Sequence, residues 1–197
     1  MKPLQIVISR IQNLELHNAC EVLLTYDEFF TATAALHFHH AYRGGLLAHT
    51  MEVTDLAIHM AGSHPTVDLD VLIAACLWHD LAKIYEYKLT WFPIHEEKPK
   101  RFLLESEDAF GAYLWHLTDY YKRIYHINGS NAEFAVAAAN HGVSREIRDA
   151  VSHCILSHHG PMKEWGSPVA PQSLEAILLH QADMQSAQFG ATKTLKP

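Results

Sequence analysis

Of 197 residues, 49% are apolar, enough to bury a real core, which excludes a disordered chain. Lys and Arg number 15 against 22 Asp and Glu, a formal charge of −7 without a long basic or acidic block; this argues against tight binding of duplex DNA through its phosphates but leaves a small or single-stranded phosphate substrate open. The longest apolar run, Val71 to Trp78, is eight residues, far short of the roughly 20 that a membrane helix needs. No apolar signal core follows Met1-Lys2-Pro3, and Cys20, Cys76 and Cys154 lie apart among apolar neighbours, so the expectation is a soluble protein of a reducing compartment, the cytoplasm.

In chain order, the first 40 residues read as one or two helices, although Leu4 to Ile11 also fits an extended segment. From Gly45 to Gly62, apolar residues recur at three- and four-residue steps, and Gly62-Ser63-His64-Pro65 supplies a stop. Asp68 caps a second helix running through Leu72, Ala75 and Cys76 to His79. Residues 84–104 break the rhythm into two-residue spacing, the mark of a small hairpin or irregular flap. Ser106 is expected to open a third helix with Phe110, Tyr113, Leu114, Leu117, Tyr121 and Ile124 on one stripe, and Ser130 to Glu133 has the form of a capping box that starts a short fourth. A fifth runs from Ser144 to about Ser157 and a sixth from Ser173 to about Gln188, with a frayed tail over Thr192 to Pro197. The whole is expected to be one all-α domain, 1–197, with its core at about 29–188.

Histidine is the anomaly: 16 of them, about 8% of the chain, scattered from His17 to His180. His49, His79-Asp80, His116, His158-His159 and Asp183 fall near helix ends or on apolar stripes that should face inward. A buried carboxylate such as Asp80 or Asp183 is costly unless it is paired or holds a cation. Inward imidazoles from separate helices with carboxylates among them are how helical bundles build metal sites. That donor set, lacking a cysteine pair, suits Mn, Fe, Ni, Zn or Mg rather than a structural zinc knuckle. His17, His37, His59, His64, His95, His126, His141, His153 and His180 read as ordinary structural or surface residues.

The order His49, His79-Asp80, Asp183, with Lys83 completing an HD-x-x-K form, resembles the signature of the HD-domain metal-dependent phosphohydrolase superfamily. More closely, His39-His40-Ala41-Tyr42-Arg43-Gly44-Gly45-Leu46-Leu47-Ala48-His49-Thr50 and Ile155-Leu156-Ser157-His158-His159-Gly160, followed by Gly166-Ser167-Pro168, resemble the HD part of the YhaM-like 3′-to-5′ exoribonucleases. The resemblance implies an HD-domain helical bundle. It implies that His49, His79, Asp80 and Asp183 ligate a first divalent metal, and that Asp80 bridges to a second held by His116 and His158, with His159 the other member of that doublet. Lys83 matches a lysine that approaches substrate phosphate; His40 and Arg43 fall near the expected cleft mouth.

With two divalent ions, the expected reaction is attack on phosphorus by a water activated between them. Asp80 bridges, Lys83 and Arg43 hold phosphate, and His40 or His159 protonates the leaving alcohol. Glu52, Asp55 and Glu86 are candidate acceptors behind the ligating rings. Tyr85, Tyr87, Trp91, Phe92 and Phe102 read either as hairpin packing or as a base-stacking wall. The expected substrate is a nucleotide, another phosphorylated small molecule or a short single-stranded nucleic acid, cleaved as a phosphodiester or phosphomonoester. YhaM-like enzymes carry an oligonucleotide-binding barrel ahead of this part, where some 30 residues stand here. The alternatives are therefore an exoribonuclease that borrows RNA-binding surface from a partner or a homo-oligomer, and a non-catalytic nucleotide- or metal-binding regulatory module.

Overall fold

The computed structural model describes residues 3–37, 39–160 and 166–192; Met1, Lys2 and residues 193–197, where the frayed tail is expected, lie outside them. The chain opens with α1 (Pro3–Ile8) and α2 (Leu14–Glu21), so Leu4 to Ile8 is helical rather than extended, and continues through two 3-10 turns to α3 (Gly45–Ala61) and α4 (Leu69–Trp78). A short α5 (Lys83–Glu86) leads into strands β1 (Tyr87–Pro93), β2 (Phe102–Glu107) and β3 (Gly111–Leu117). After α6 (Tyr120–Arg123) come α7 (His126–Asn140), α8 (Arg145–Ser157) and α9 (Leu174–Thr192). None of these helices is long and apolar enough to cross a membrane.

The bundle is organised around α4. Asp68 caps it by accepting from the amides of Asp70 and Val71, and every residue from Val71 to Trp78 is buried. A helix apolar all round has no face to offer water, so α4 sits inside, packed against α2, α3, α7, α8 and α9. Its C-terminus therefore delivers His79 and Asp80 into the interior. Helix α3 follows Gly44, whose φ of +79° favours glycine. Gly45 lies so close to the His40 carbonyl oxygen that any Cβ would collide with it. Thr50 and Thr54 are buried on α3, and their hydroxyls donate to the Leu46 and Thr50 carbonyls at 2.9 and 2.7 Å.

Two expectations need correction here. Residues 106–117 are not helical: β3 is the central strand of an antiparallel sheet ordered β1-β3-β2, paired on both sides. The flap is thus a three-stranded sheet extending to Leu117, and β1 and β2 flank β3 rather than pairing with each other. The aromatic stripe that mimics a helical period satisfies its backbone through neighbouring strands, and Asp108 Oδ1 accepts from the amides of Phe110 and Gly111 to turn the chain. Secondly, α7 begins at His126, four residues ahead of the supposed capping box. Ser130 Oγ instead accepts from the Ala82 amide at 3.0 Å, and Glu133 accepts from the hydroxyls of Tyr26 and Tyr85 at 3.0 and 3.1 Å. Both side chains are used in tertiary contacts. Ser144 does cap α8, accepting from the Ile147 amide.

Candidate metal centre

Five elements converge at the C-terminal end of α4. Helix α3 supplies His49, the residues after α4 supply His79 and Asp80, and α5 begins with Lys83. The first residue of α7 is His126, His158 and His159 follow α8, and α9 carries Asp183. His49, His79, Asp80, Lys83, His126, His158 and Asp183 are all buried.

Asp80 divides the site in two. Its Oδ2 lies 3.3 Å from both His49 Nε2 and His79 Nε2, and Asp183 Oδ1 adds a contact to His49 Nε2 at 3.1 Å. Its Oδ1 faces His126 Nε2 at 3.3 Å and His158 Nε2 at 3.7 Å. Ligand atoms of His49, His79 and Asp80 lie within 4.8 Å of one another, and so do those of His126, His158 and His159.

The proton inventory shows what these atoms lack. His79 and His158 each cap a helix, and each directs Nδ1 at the carbonyl three residues earlier, Cys76 O and Ile155 O, both at 2.7 Å. A carbonyl can only accept, so Nδ1 carries the hydrogen and Nε2 presents a lone pair. Ser186 does the same for His49: its Oγ lies 2.9 Å from Nδ1 while its own hydrogen goes to Glu52 Oε2 at 2.8 Å. Glu86 lies 3.2 Å from Nδ1 of His126 and also accepts from its backbone amide at 2.6 Å. Burial lowers the proton affinity of the His79 ring, and of His126 more strongly, keeping both neutral.

Lone pairs therefore point at lone pairs and at carboxylate oxygens. His49 Nε2 and His79 Nε2 are 3.3 Å apart. Both Asp80 oxygens, His126 Nε2 and His158 Nε2 are buried without a hydrogen bond. Lys83 Nζ is 2.6 Å from Asp80 Oδ2 but off the angle that a hydrogen bond requires. Burial would raise the Asp80 and Asp183 carboxyls; the Lys83 ammonium beside Asp80, and the His49 ring beside Asp183, hold both well below the usual range, so both stay ionised. The two carboxylates in turn raise the proton affinity of His49 against its burial. One lysine thus faces two buried carboxylates and a set of inward lone pairs, a donor set that fits a divalent cation. The spacing fits: two donors about 2.1 Å from one tetrahedral ion stand about 3.4 Å apart.

A cleft of about 310 Å³ opens beside the centre; Lys83, His126, His159 and Asp183 line it together with Tyr87, Arg101 and Tyr121. Burial pushes the Glu86 carboxyl at its edge up to about 7.

Not every residue singled out in the sequence arrives here. His116 sits on β3, not on a helix, with Nε2 2.9 Å from Thr90 Oγ1 and Nδ1 3.1 Å from Leu117 O. It lies outside both donor groups, and His126, read above as ordinary, stands in the position expected of it. The reversal follows from the misread strand: His116 gains an inward helical face only if 106–124 is a helix. The signal for His126 is its place at the head of the apolar stripe Ile127, Phe134, Ala137 and Ala138. Arg43 is exposed, 3.7 Å from Glu105, and lines a different hollow. His39 rather than His40 lines the cleft; His40, at φ +50°, contacts Glu52 Oε2 at 2.8 Å behind His49. Glu86 stands behind the His126 ring and Glu52 behind that of His49 through Ser186, whereas Asp55 is exposed on α3. Of the aromatic residues, Trp91 packs on Tyr113 and Phe92 on His116, and Tyr87 lines the cleft.

An internal helical core with a His-Asp pair at the end of its buried helix defines the class. The chain belongs to the HD domain family, whose model matches residues 46–187. It is 30% identical over 184 residues to the 3'-5' exoribonuclease YhaM of Listeria innocua, covering 92% of this chain and 51% of that protein. It is 30% identical over 196 residues to the protein of the same name from Geobacillus sp., covering 96% and 53%. The Bacillus licheniformis protein of that name is 30% identical over 174 residues, covering 86% and 48%. The chain spans about half the length of these curated relatives. No solved structure matches it.

Proposed function

We propose that the protein is a metal-dependent phosphohydrolase acting on a phosphoester of a nucleotide or short single-stranded nucleic acid. One observation carries the reading: the two oxygens of a single buried carboxylate face two separate histidine groups whose Nε2 lone pairs converge. His49, His79, Asp80 and Asp183 would hold one divalent ion, and Asp80, His126, His158 and His159 the other. Two such ions would supply Lewis acidity, neutralising phosphoryl oxygens and lowering the proton affinity of water towards neutrality.

The chain's own groups do the rest. Nδ1 contacts to Cys76 O, Ile155 O, Ser186 and Glu86 fix the His79, His158, His49 and His126 rings in the tautomer that presents Nε2 inward. Lys83, its charge reinforced by Asp80 against burial, faces the cleft and attracts phosphate. His159 lines the cleft against the His126 and His158 rings, where it completes the second donor group. His40 contacts Glu52, whose Oε2 also accepts from the Ser186 hydroxyl behind His49.

Elemental analysis of purified protein and hydrolysis of bis(p-nitrophenyl) phosphate, p-nitrophenyl phosphate and a nucleotide panel test this. About two metal equivalents and EDTA-sensitive turnover are expected. Metal binding without turnover of any substrate would instead indicate a regulatory module, and neither would end the proposal. A second reading, 3′-to-5′ removal of nucleotides from RNA, is favoured by the relatives' activity and predicts stepwise shortening of a 5′-labelled oligoribonucleotide.

A further inference from the structure

Beyond the cleft, the surface continues in a direction that cleavage of a mononucleotide would not use. The cleft shares Tyr87, Arg101 and Tyr121 with a second hollow of about 140 Å³, which adds Leu117. Arg101, Leu117 and Tyr121 pass in turn into a third, of about 370 Å³, lined also by Lys100, Lys122 and Asp119. Three cations against one carboxylate line the groove beyond the metal centre, on a chain whose overall charge is −7. Among the described residues no ion pair engages Lys100, Arg101 or Lys122, and all three are exposed. Tyr121, 38% exposed, is held edge-on against Tyr125 at 5.5 Å, which orders its ring at the junction of the hollows.

We infer that this groove is a binding track for single-stranded nucleic acid, with Tyr121 stacking on a base and Arg101, Lys100 and Lys122 on successive phosphates leading away from the metal centre. The inference takes its strand end from the hydrolytic reading above, but the track itself does not depend on turnover. Unlike a duplex surface, a strand path needs few cations and one or two aromatic faces, and it reads no sequence. A mononucleotide at the metals would leave the two outer hollows empty, so chain length is the discriminating variable.

The test is fluorescence anisotropy on the metal-loaded protein with a 5′-labelled, phosphorothioate-linked oligoadenylate octamer that resists cleavage, with an unlabelled dinucleotide of the same linkage and polyglutamate as competitors. The octamer is expected to bind at least about tenfold tighter than the dinucleotide, with polyglutamate a poor competitor. Tyr121→Ala is expected to weaken the octamer by about 5- to 100-fold, the range for losing one base stack. Lys100→Ala/Lys122→Ala, two exposed positions that spare the core, is expected to reduce the slope of log K against log salt by about 1.4, at roughly 0.7 per phosphate of a single strand. Equal affinity for dinucleotide and octamer, equal competition by polyglutamate, or a lysine double variant with wild-type affinity and slope would overturn the track. Hydrolysis of bis(p-nitrophenyl) phosphate by the wild-type protein is scored separately, so a dead metal centre and an absent track are told apart.

Discussion

Chelation is the perturbation on which the site's electrostatics makes the largest demand. With Asp80 shared between two donor groups, chelation would leave Asp80 Oδ2 to Lys83, and Asp80 Oδ1, His126 Nε2 and His158 Nε2 buried without a hydrogen bond among the described residues. A ligand that binds only the folded state at a hundredfold excess over its Kd stabilises it by about 2.7 kcal/mol, so two sites contribute roughly 5 kcal/mol. At about 2–4 °C per kcal/mol for a chain of this size, unfolding in EDTA should begin roughly 10–20 °C below unfolding in saturating Mn²⁺. Differential scanning fluorimetry measures this directly, with His49→Ala and His158→Ala each expected to retain about half the shift because each disables one group. A difference below about 2 °C in the wild-type protein, or a full shift in both variants, would refute the assignment of cations to this cluster.

Other expectations follow from particular contacts. Ser186→Ala removes the Nδ1 partner of His49 and the hydroxyl that joins it to Glu52; metal titration should show affinity falling by about 10- to 100-fold, the usual effect of losing an outer partner. His126→Ala should reduce phosphodiesterase activity by more than that range, whereas His116→Ala, which breaks a contact to Thr90, should leave metal content at the wild-type level. Leu72→Ala, in the buried helix, should destabilise by about 2–5 kcal/mol in urea titration. Burial pushes the Cys20 and Cys154 thiols up to about 12; since thiolate is the reactive form and increases with pH, iodoacetamide at pH 8 should modify the folded protein about a thousandfold more slowly than protein in urea.

What local pattern alone can carry is well illustrated by α4 and α8. Asp68 and Ser144 are caps whose amide partners lie within three residues, and both helices begin where the sequence places them. His49, His79, Asp80 and Asp183, singled out through the motif resemblance, do come together. The reading fails where partners come from afar. Gly111 to Leu117 has a helix-like stripe yet pairs with strands on both sides, and nothing within the segment announces those neighbours. Ser130 and Glu133 have the chemistry of a cap but spend it on Ala82, Tyr26 and Tyr85. The inward helical face expected for His116 went with that misread strand. Ser186 carried no signal at all, since its use depends on α9 lying beside α3.

The acceptors behind the His49, His79, His126 and His158 imidazoles are of two kinds, and the difference bears on how far this centre can drift. Cys76 O and Ile155 O belong to the peptide backbone at helix ends, where carbonyls lack an intrahelical partner. Point substitution cannot delete them, so two of the rings are oriented by the main chain itself. Ser186 and Glu86, by contrast, are side chains open to replacement. Adaptation to a different ion or a different acidity is therefore channelled through the His49 and His126 corners, while the His79 and His158 corners stay invariant for as long as their helices end where they do.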